Sequence, residues 1–215
     1  MHKHKKVALG LALAGIVGAG LALAQPPTGP MSFFVTSKGS GNGANLGGLA
    51  GADRICQTLA EAAGQAAGRT WRAYLSTQGQ GAVNARDRIG PGPWFNARGA
   101  RIAQNVDELH SAGNRLAVFT ALDERGNQIP GSGFSPNRHD ILTGSTPEGR
   151  AYPAGADMTC NNWTSSSDEG GAKARLGHHD YAQWNSTHDS RGCSQQALIG
   201  TGGDGLFYCF ALPAQ

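Results

Sequence analysis

The densest apolar run beyond the first residues lies at the end of the chain. In Gly205-Leu206-Phe207-Tyr208-Cys209-Phe210-Ala211-Leu212, the residues Leu206, Tyr208 and Phe210 share one face of a strand, and Phe207, Cys209 and Ala211 the other. Apolar groups on both faces predict a central strand covered on both sides. Met31–Ser37 reads as a second strand. Ala52, Ile55, Cys56, Leu59, Ala60 and Ala63 recur at helical spacing, so Leu49–Ala63 is the main predicted helix, ended by Gly64. In Thr70–Thr77, Trp71, Ala73 and Leu75 alternate with Arg72 and Tyr74, the pattern of a half-buried strand. Beyond it the signals weaken. Arg86–Arg88 predicts one helical turn, Asn105–Ser111 a short helix, and Ile141–Leu142 a brief strand. Met158–Ser165, Ala172–Gly177 and Gln196–Ile199 predict further short strands. Long loops fill the rest, above all Gly126–Gly155.

Residues 1–24 change the picture of charge and destination. His2–Lys6 is a basic patch, Val7–Leu23 an apolar Ala/Leu/Gly run, and Ala22-Leu23-Ala24 a small-residue cleavage pattern. The expectation is a cleaved signal peptide over 1–24 and a short Pro-rich leader over 25–30. One folded domain over 31–212 would follow, exported to the periplasm or secreted. No later segment is long and apolar enough to predict a transmembrane span. The net charge of +3 comes from 18 Lys and Arg against 15 Asp and Glu, and Lys3, Lys5 and Lys6 account for the whole excess. The remainder is formally neutral, so bulk charge gives no reason to expect a nucleic-acid partner. About 190 residues suffice for one domain with a real core. Abundant Gly, 33 in the chain, predicts many turns and short elements. Four cysteines behind an export signal predict two disulfides, with three pairings open.

Several landmarks fall in a telling order. Gly51-Ala52-Asp53 leads into a helix bearing Cys56, Trp71–Ser76 follows, Cys160-Asn161-Asn162-Trp163-Thr164 comes late, and Cys193 precedes Phe207-Tyr208-Cys209. In this order they resemble endostatin and the bacterial exported lectin-like domains that share its C-type lectin-like fold. The resemblance covers about residues 31 to 210. It implies an α+β domain with a mixed antiparallel sheet, one main helix, long loops and two nested disulfides, Cys56–Cys209 and Cys160–Cys193.

The chemically richest stretch is Leu176–Asp189, which holds Gly177-His178-His179-Asp180 and Trp184-Asn185-Ser186-Thr187-His188-Asp189. Lectins of this fold place Trp-Asn-Asp before the third cysteine as calcium ligands. Here Ser186 stands where the acid would be, and Ser135-Pro136-Asn137 is the nearest match to the partner motif. Asp180, Asn185 and Asp189 are the candidate calcium ligands. Zinc would draw on His179 and His188 with one carboxylate, since adjacent residues of a strand cannot all face one point. Hydrogen-bonded loop histidines are the simpler reading. Trp71 and Trp163 read as core anchors, whereas Trp184, among polar residues, is the candidate stacking platform for a sugar. Endostatin binds heparin through surface arginines, and Arg72, Arg86, Arg88, Arg98 and Arg101 are the candidates here. Pairing with the acids is the simpler reading.

No G-x-S-x-G, H-E-x-x-H or phosphate-binding Gly loop is present, so catalysis has no sequence signature. The sequence therefore points to an exported, non-catalytic binding module without an obligatory cofactor. It would recognise carbohydrate or another extracellular ligand through Asp180, His179, Trp184, Asn185, His188 and Asp189. One alternative is an adhesion module that binds protein at the cell envelope. Another is a metal-dependent hydrolase built on His179 and His188.

Overall fold

Strand burial organises the chain. In this computed structural model, which describes residues 28–66 and 68–214, the final strand is covered on both faces. The expected signal segment 1–24 and residues 25–27 of the leader lie outside that range. The elements run β1 (Phe33–Val35), α1 (Gly48–Ala62), β2 (Trp71–Ala73), a 3-10 turn (Ala85–Asp87), β3 (Trp94–Phe95), β4 (Arg101–Ala103), α2 (Val106–Leu109) and β5 (Asp140–Leu142). Then come α3 (Cys160–Trp163), a second 3-10 turn (Glu169–Gly171), β6 (Arg175–His178), β7 (His188–Asp189), α4 (Gln195–Thr201) and β8 (Gly203–Ala211). The architecture is α+β, with a six-stranded mixed sheet, a separate β3–β4 pair and one main helix.

β8 is the axis of the sheet. β1 pairs with it antiparallel, with Phe33 opposite Phe210. β2 also pairs antiparallel, with Arg72 opposite that same Phe210, so β1 and β2 lie on opposite edges. β5 runs parallel to the first part of β8, and β6 and β7 continue the sheet outward from it. The alternation read from sequence is realised residue by residue. Phe207, Cys209 and Ala211 enter a core with Phe34, Trp71, Trp163 and the buried face of α1. Leu206, Tyr208 and Phe210 enter another with Phe33, Val35, Tyr74, Trp94 and Trp184.

Two disulfides, Cys56–Cys209 and Cys160–Cys193, fasten this arrangement in the nested pairing that the resemblance implied. The first joins α1 to β8 across 153 residues, and the second spans 33. Loop-closure entropy alone gives about 5 and about 4 kcal/mol as upper figures. Such bonds belong to an oxidising compartment. Among the described residues no helix is long and apolar enough to cross a membrane.

Two predicted strands are not strands. Residues 196–199 lie in α4, because the Ser194 hydroxyl caps the helix by accepting from Ala197 N–H and Gly202 ends it at φ 113°. Met158–Ser165 contains a left-handed turn, with positive φ at Cys160, Asn161, Asn162 and Trp163. Four consecutive side-chain-bearing residues in this region are costly, at roughly 1–2 kcal/mol each. The turn is held by many bonds: Asp157 accepts from Thr159 and Asn161 N–H, Trp163 Nε1–H donates to Ser76 O at 2.7 Å, and Cys160 is tied to Cys193.

The helix and β2 meet through a buried ion cluster. Asp53 accepts from Arg72 Nη1 at 2.6 Å, Arg88 Nη2 at 2.8 Å and Ala73 N–H at 2.9 Å. Arg88 is itself buried to a side-chain exposure of 10%. Asp53→Ala strands that cation, so a loss of about 3–5 kcal/mol is expected in urea unfolding. An unchanged midpoint would show that the cluster contributes nothing.

Candidate functional site

Sheet register builds the most concentrated chemistry in the structure. β5 pairs antiparallel with β6, which sets Asp140 opposite His178. β7 pairs with β6, which sets His188 opposite Leu176, near the same end. Three imidazole nitrogens then surround one carboxylate oxygen. Asp140 Oδ1 lies 3.0 Å from His178 Nε2, 3.3 Å from His139 Nε2 and 3.4 Å from His188 Nε2. The Nε2 atoms of His178 and His188 are 2.9 Å apart. Asp140 has a side-chain exposure of 1%, yet neither of its oxygens has a hydrogen-bond partner among the described residues. On the far side of His139, Nδ1 stands 3.3 Å from Asp180 Oδ1.

Beside the cluster lies a groove of about 570 Å³, lined by the 110–117 segment, Pro147 and residues 180–186. Asn114, Gln183 and Ser111 supply amide and hydroxyl groups, and Tyr181, 51% exposed, stands at its edge. Its floor is a buried hydrogen-bond chain. His110 Nδ1 lies 2.7 Å from Val106 O, and a carbonyl only accepts, so Nδ1 carries the hydrogen. His110 Nε2 then accepts from the Tyr74 hydroxyl at 2.7 Å, and Tyr74 Oη accepts from Asn185 Nδ2–H at 3.0 Å. Gly149 crosses directly above this pair at φ +75°. A Cβ there would sit 2.3 Å from His110 Nε2 and 2.5 Å from Tyr74 Oη, so only glycine fits.

The residues singled out in the sequence divide between these places. Trp184 is not a surface platform. It is 2% exposed and packs against Tyr74 and Tyr208, with ring centroids 4.8 and 5.2 Å apart. Its neighbours are polar in sequence, but the backbone there lies over the second core. Asn185 is equally internal, its amide donating to Tyr74, Thr146 and Pro147. Asp189 is bound by Lys173 and Arg175, and Asp180 Oδ2 accepts from Ser132 N–H while its Oδ1 lies 3.3 Å from His139 Nδ1 without a hydrogen bond. The three proposed calcium ligands thus face different partners and form no common shell.

His179 is wholly buried, with neither ring nitrogen hydrogen-bonded among the described residues. It is His178, the last residue of β6, that meets His188. His139 and Asp140 carry no site signal of their own, since they lie far upstream in a Gly- and Pro-rich segment. The available signal was a His-Asp pair immediately before Ile141–Leu142, a recognised strand. The five arginines form no open patch. Arg72 and Arg88 bind Asp53, Arg86 binds Asp107, Arg98 binds Gly126 O and Arg101 binds Gln104.

No model of a known protein family matches this chain, and no curated protein is similar to it in sequence.

Two outcomes follow from the groove floor. Trp184→Ala empties a core position and is expected to cost about 3–5 kcal/mol in denaturant unfolding, so it is a stability variant before it is a binding variant. Burial, followed by the nearby Arg86 charge, lowers the pKa of His110 below 6.5, against the opposing pull of Val106 O, Asp107 and Glu148. The unfolded chain therefore takes up a proton at His110 as pH falls below about 6.5, before the folded chain does. Stability contributed by this group is complete above that pH and declines below it. Thermal midpoints between pH 7 and pH 5 should fall less steeply in His110→Gln than in the parent chain.

Proposed function

We propose that the chain is an exported, non-catalytic recognition module with a C-type lectin-like, endostatin-like fold, and that it binds a saccharide in the groove beside Tyr181. Secretion or a periplasmic location fits the two disulfides and the signal-like first 24 residues. The observation that carries the reading is the groove itself. It is concave, its reachable side chains are amides and hydroxyls suited to sugar hydroxyls, and a half-exposed tyrosine ring offers an apolar face beside them. His110 and Asp180 are the titratable side chains lining it besides Tyr181, which favours an uncharged sugar over a sulfated one.

A protein ligand is the second reading, supported by Phe119 at 74% and Phe134 at 53% exposure. Their loops adjoin the groove, since a Cβ on Gly131 would lie 3.2 Å from Val118 and 2.6 Å from Asp180.

A glycan array followed by calorimetry tests the first reading. Tyr181→Ala should weaken the best glycan about tenfold, the equivalent of about 1.4 kcal/mol, while the thermal midpoint stays unchanged. An array without hits, together with an envelope protein whose capture resists sugar competition, would replace the saccharide with a protein partner.

A further inference from the structure

We infer that His139, Asp140, His178 and His188 form a zinc site, one that needs no saccharide in the neighbouring groove. The spacing is the first argument. Donors about 2.0–2.1 Å from a tetrahedral zinc lie about 3.3 Å from one another. Four of the six separations in the cluster are 2.9, 3.0, 3.3 and 3.4 Å. The donors of His139, Asp140 and His178 all lie within 4.8 Å of one another, and His188 joins this trio through Asp140 and His178. The donor types, imidazole nitrogen and carboxylate oxygen, are those zinc takes.

Hydrogen placement is the second argument. His188 Nδ1 lies 3.0 Å from the carbonyl oxygen of Asp189, so it carries the hydrogen and Nε2 presents a lone pair to the cluster. A hydrogen on His178 Nε2 could be donated to that lone pair, but it would then be spent. Asp140 would remain as it is found, a buried carboxylate with both oxygens unpartnered among the described residues. Such a charge is costly to bury alone. A divalent cation among the four donors satisfies Asp140 and both nitrogens together.

The surroundings are the third. The Asp189 carbonyl orients His188 as the acceptor behind a metal-binding histidine does, and the Asp180 carboxylate lies 3.3 Å behind His139 Nδ1, close enough to take that role once the ring turns slightly. His139 and His178 stack at 4.1 Å between centroids, and closing on an ion requires the two rings to splay slightly. His139, Asp140 and His178 are the compact donor set, and His188 drawn in beside them would close a four-donor shell, the form of a structural site. Zinc would then lock together the start of β5, the end of β6 and β7.

The full chain, stripped with a chelator, is titrated with zinc(II) in calorimetry against a competing chelator. One ion per chain is expected, and cobalt(II) in its place should show the strong visible bands of a four-coordinate site. His188 is the solvent-facing corner, with 39% of its side chain exposed, so His188→Gln should keep the near-UV signature of the stripped chain. It should weaken zinc about 100-fold or more, and Asp180→Asn, one bond further out, about 10- to 100-fold. A stripped chain that takes up no zinc overturns the inference. Zinc held equally well by His188→Gln overturns it too.

Discussion

The double burial of β8 is the constraint on which the other parts depend. A strand with Phe, Tyr and Cys on alternate faces has no side to turn to water, so the chain must supply a layer above and a layer below. The upper layer is α1, and it does not rest on apolar contact alone: Cys56–Cys209 ties helix to strand, and Asp53 ties the helix to β2 through Arg72, Arg88 and Ala73 N–H. The lower layer is loops and very short elements: Trp94 of β3, Ile102 of β4 and Leu109 of α2 point inward, joined by Ile89 and Trp184 from the loops. A loop layer can bury this much only if its backbone is bonded elsewhere. Bonds such as Val35 N–H to Leu122 O and Arg115 N–H to Ile102 O do that.

From this constraint follows the position of the chemistry. β5 is short, and its place beside β8 is set by Ile141 and Leu142 entering the two cores on opposite faces. That placement fixes Asp140 at the head of the strand. The antiparallel partner β6 then has to deliver His178 opposite it, and β7 brings His188 alongside. The histidines and the aspartate thus meet because hydrophobic side chains elsewhere on the same strands fix the register. A slip of one residue would flip Asp140, Ile141 and Leu142 each to the other face and dissolve both core and cluster.

The parts of this molecule that were legible in the sequence are those whose pattern repeats. The two faces of β8, the buried stripe of α1 and the start of β2 each announce themselves over several turns or pairs. β3 and β7, with two residues apiece, carry no period to detect. The left-handed turn at Cys160–Trp163 is set by Asp157, Ser76 and a disulfide, none of which its own residues reveal. Trp184 misled for a related reason. Its polar neighbours are polar because they bond inward, Asn185 to Tyr74 and Thr187 N–H to Leu176 O, and not because they meet solvent. His139 was invisible as a site residue because its partners are supplied by β6 and β7, a sheet pairing away.

The turn Asp180–Tyr181 belongs to both halves of the surface. Asp180 faces His139 and also accepts from Ser132 N–H, while Tyr181 rests on the rings of His139 and His178, at 6.3 and 5.7 Å. The ring at the groove edge therefore sits on the very imidazoles that surround Asp140. Its position is thus coupled to how firmly those rings are held. Rings free to rotate would leave Tyr181 a loose edge, and rings fixed from behind would make it a preformed face. The polar cluster does for this corner of the loop layer what Cys56–Cys209 does for the helix: it replaces packing, which the short elements cannot supply, with a few directed bonds.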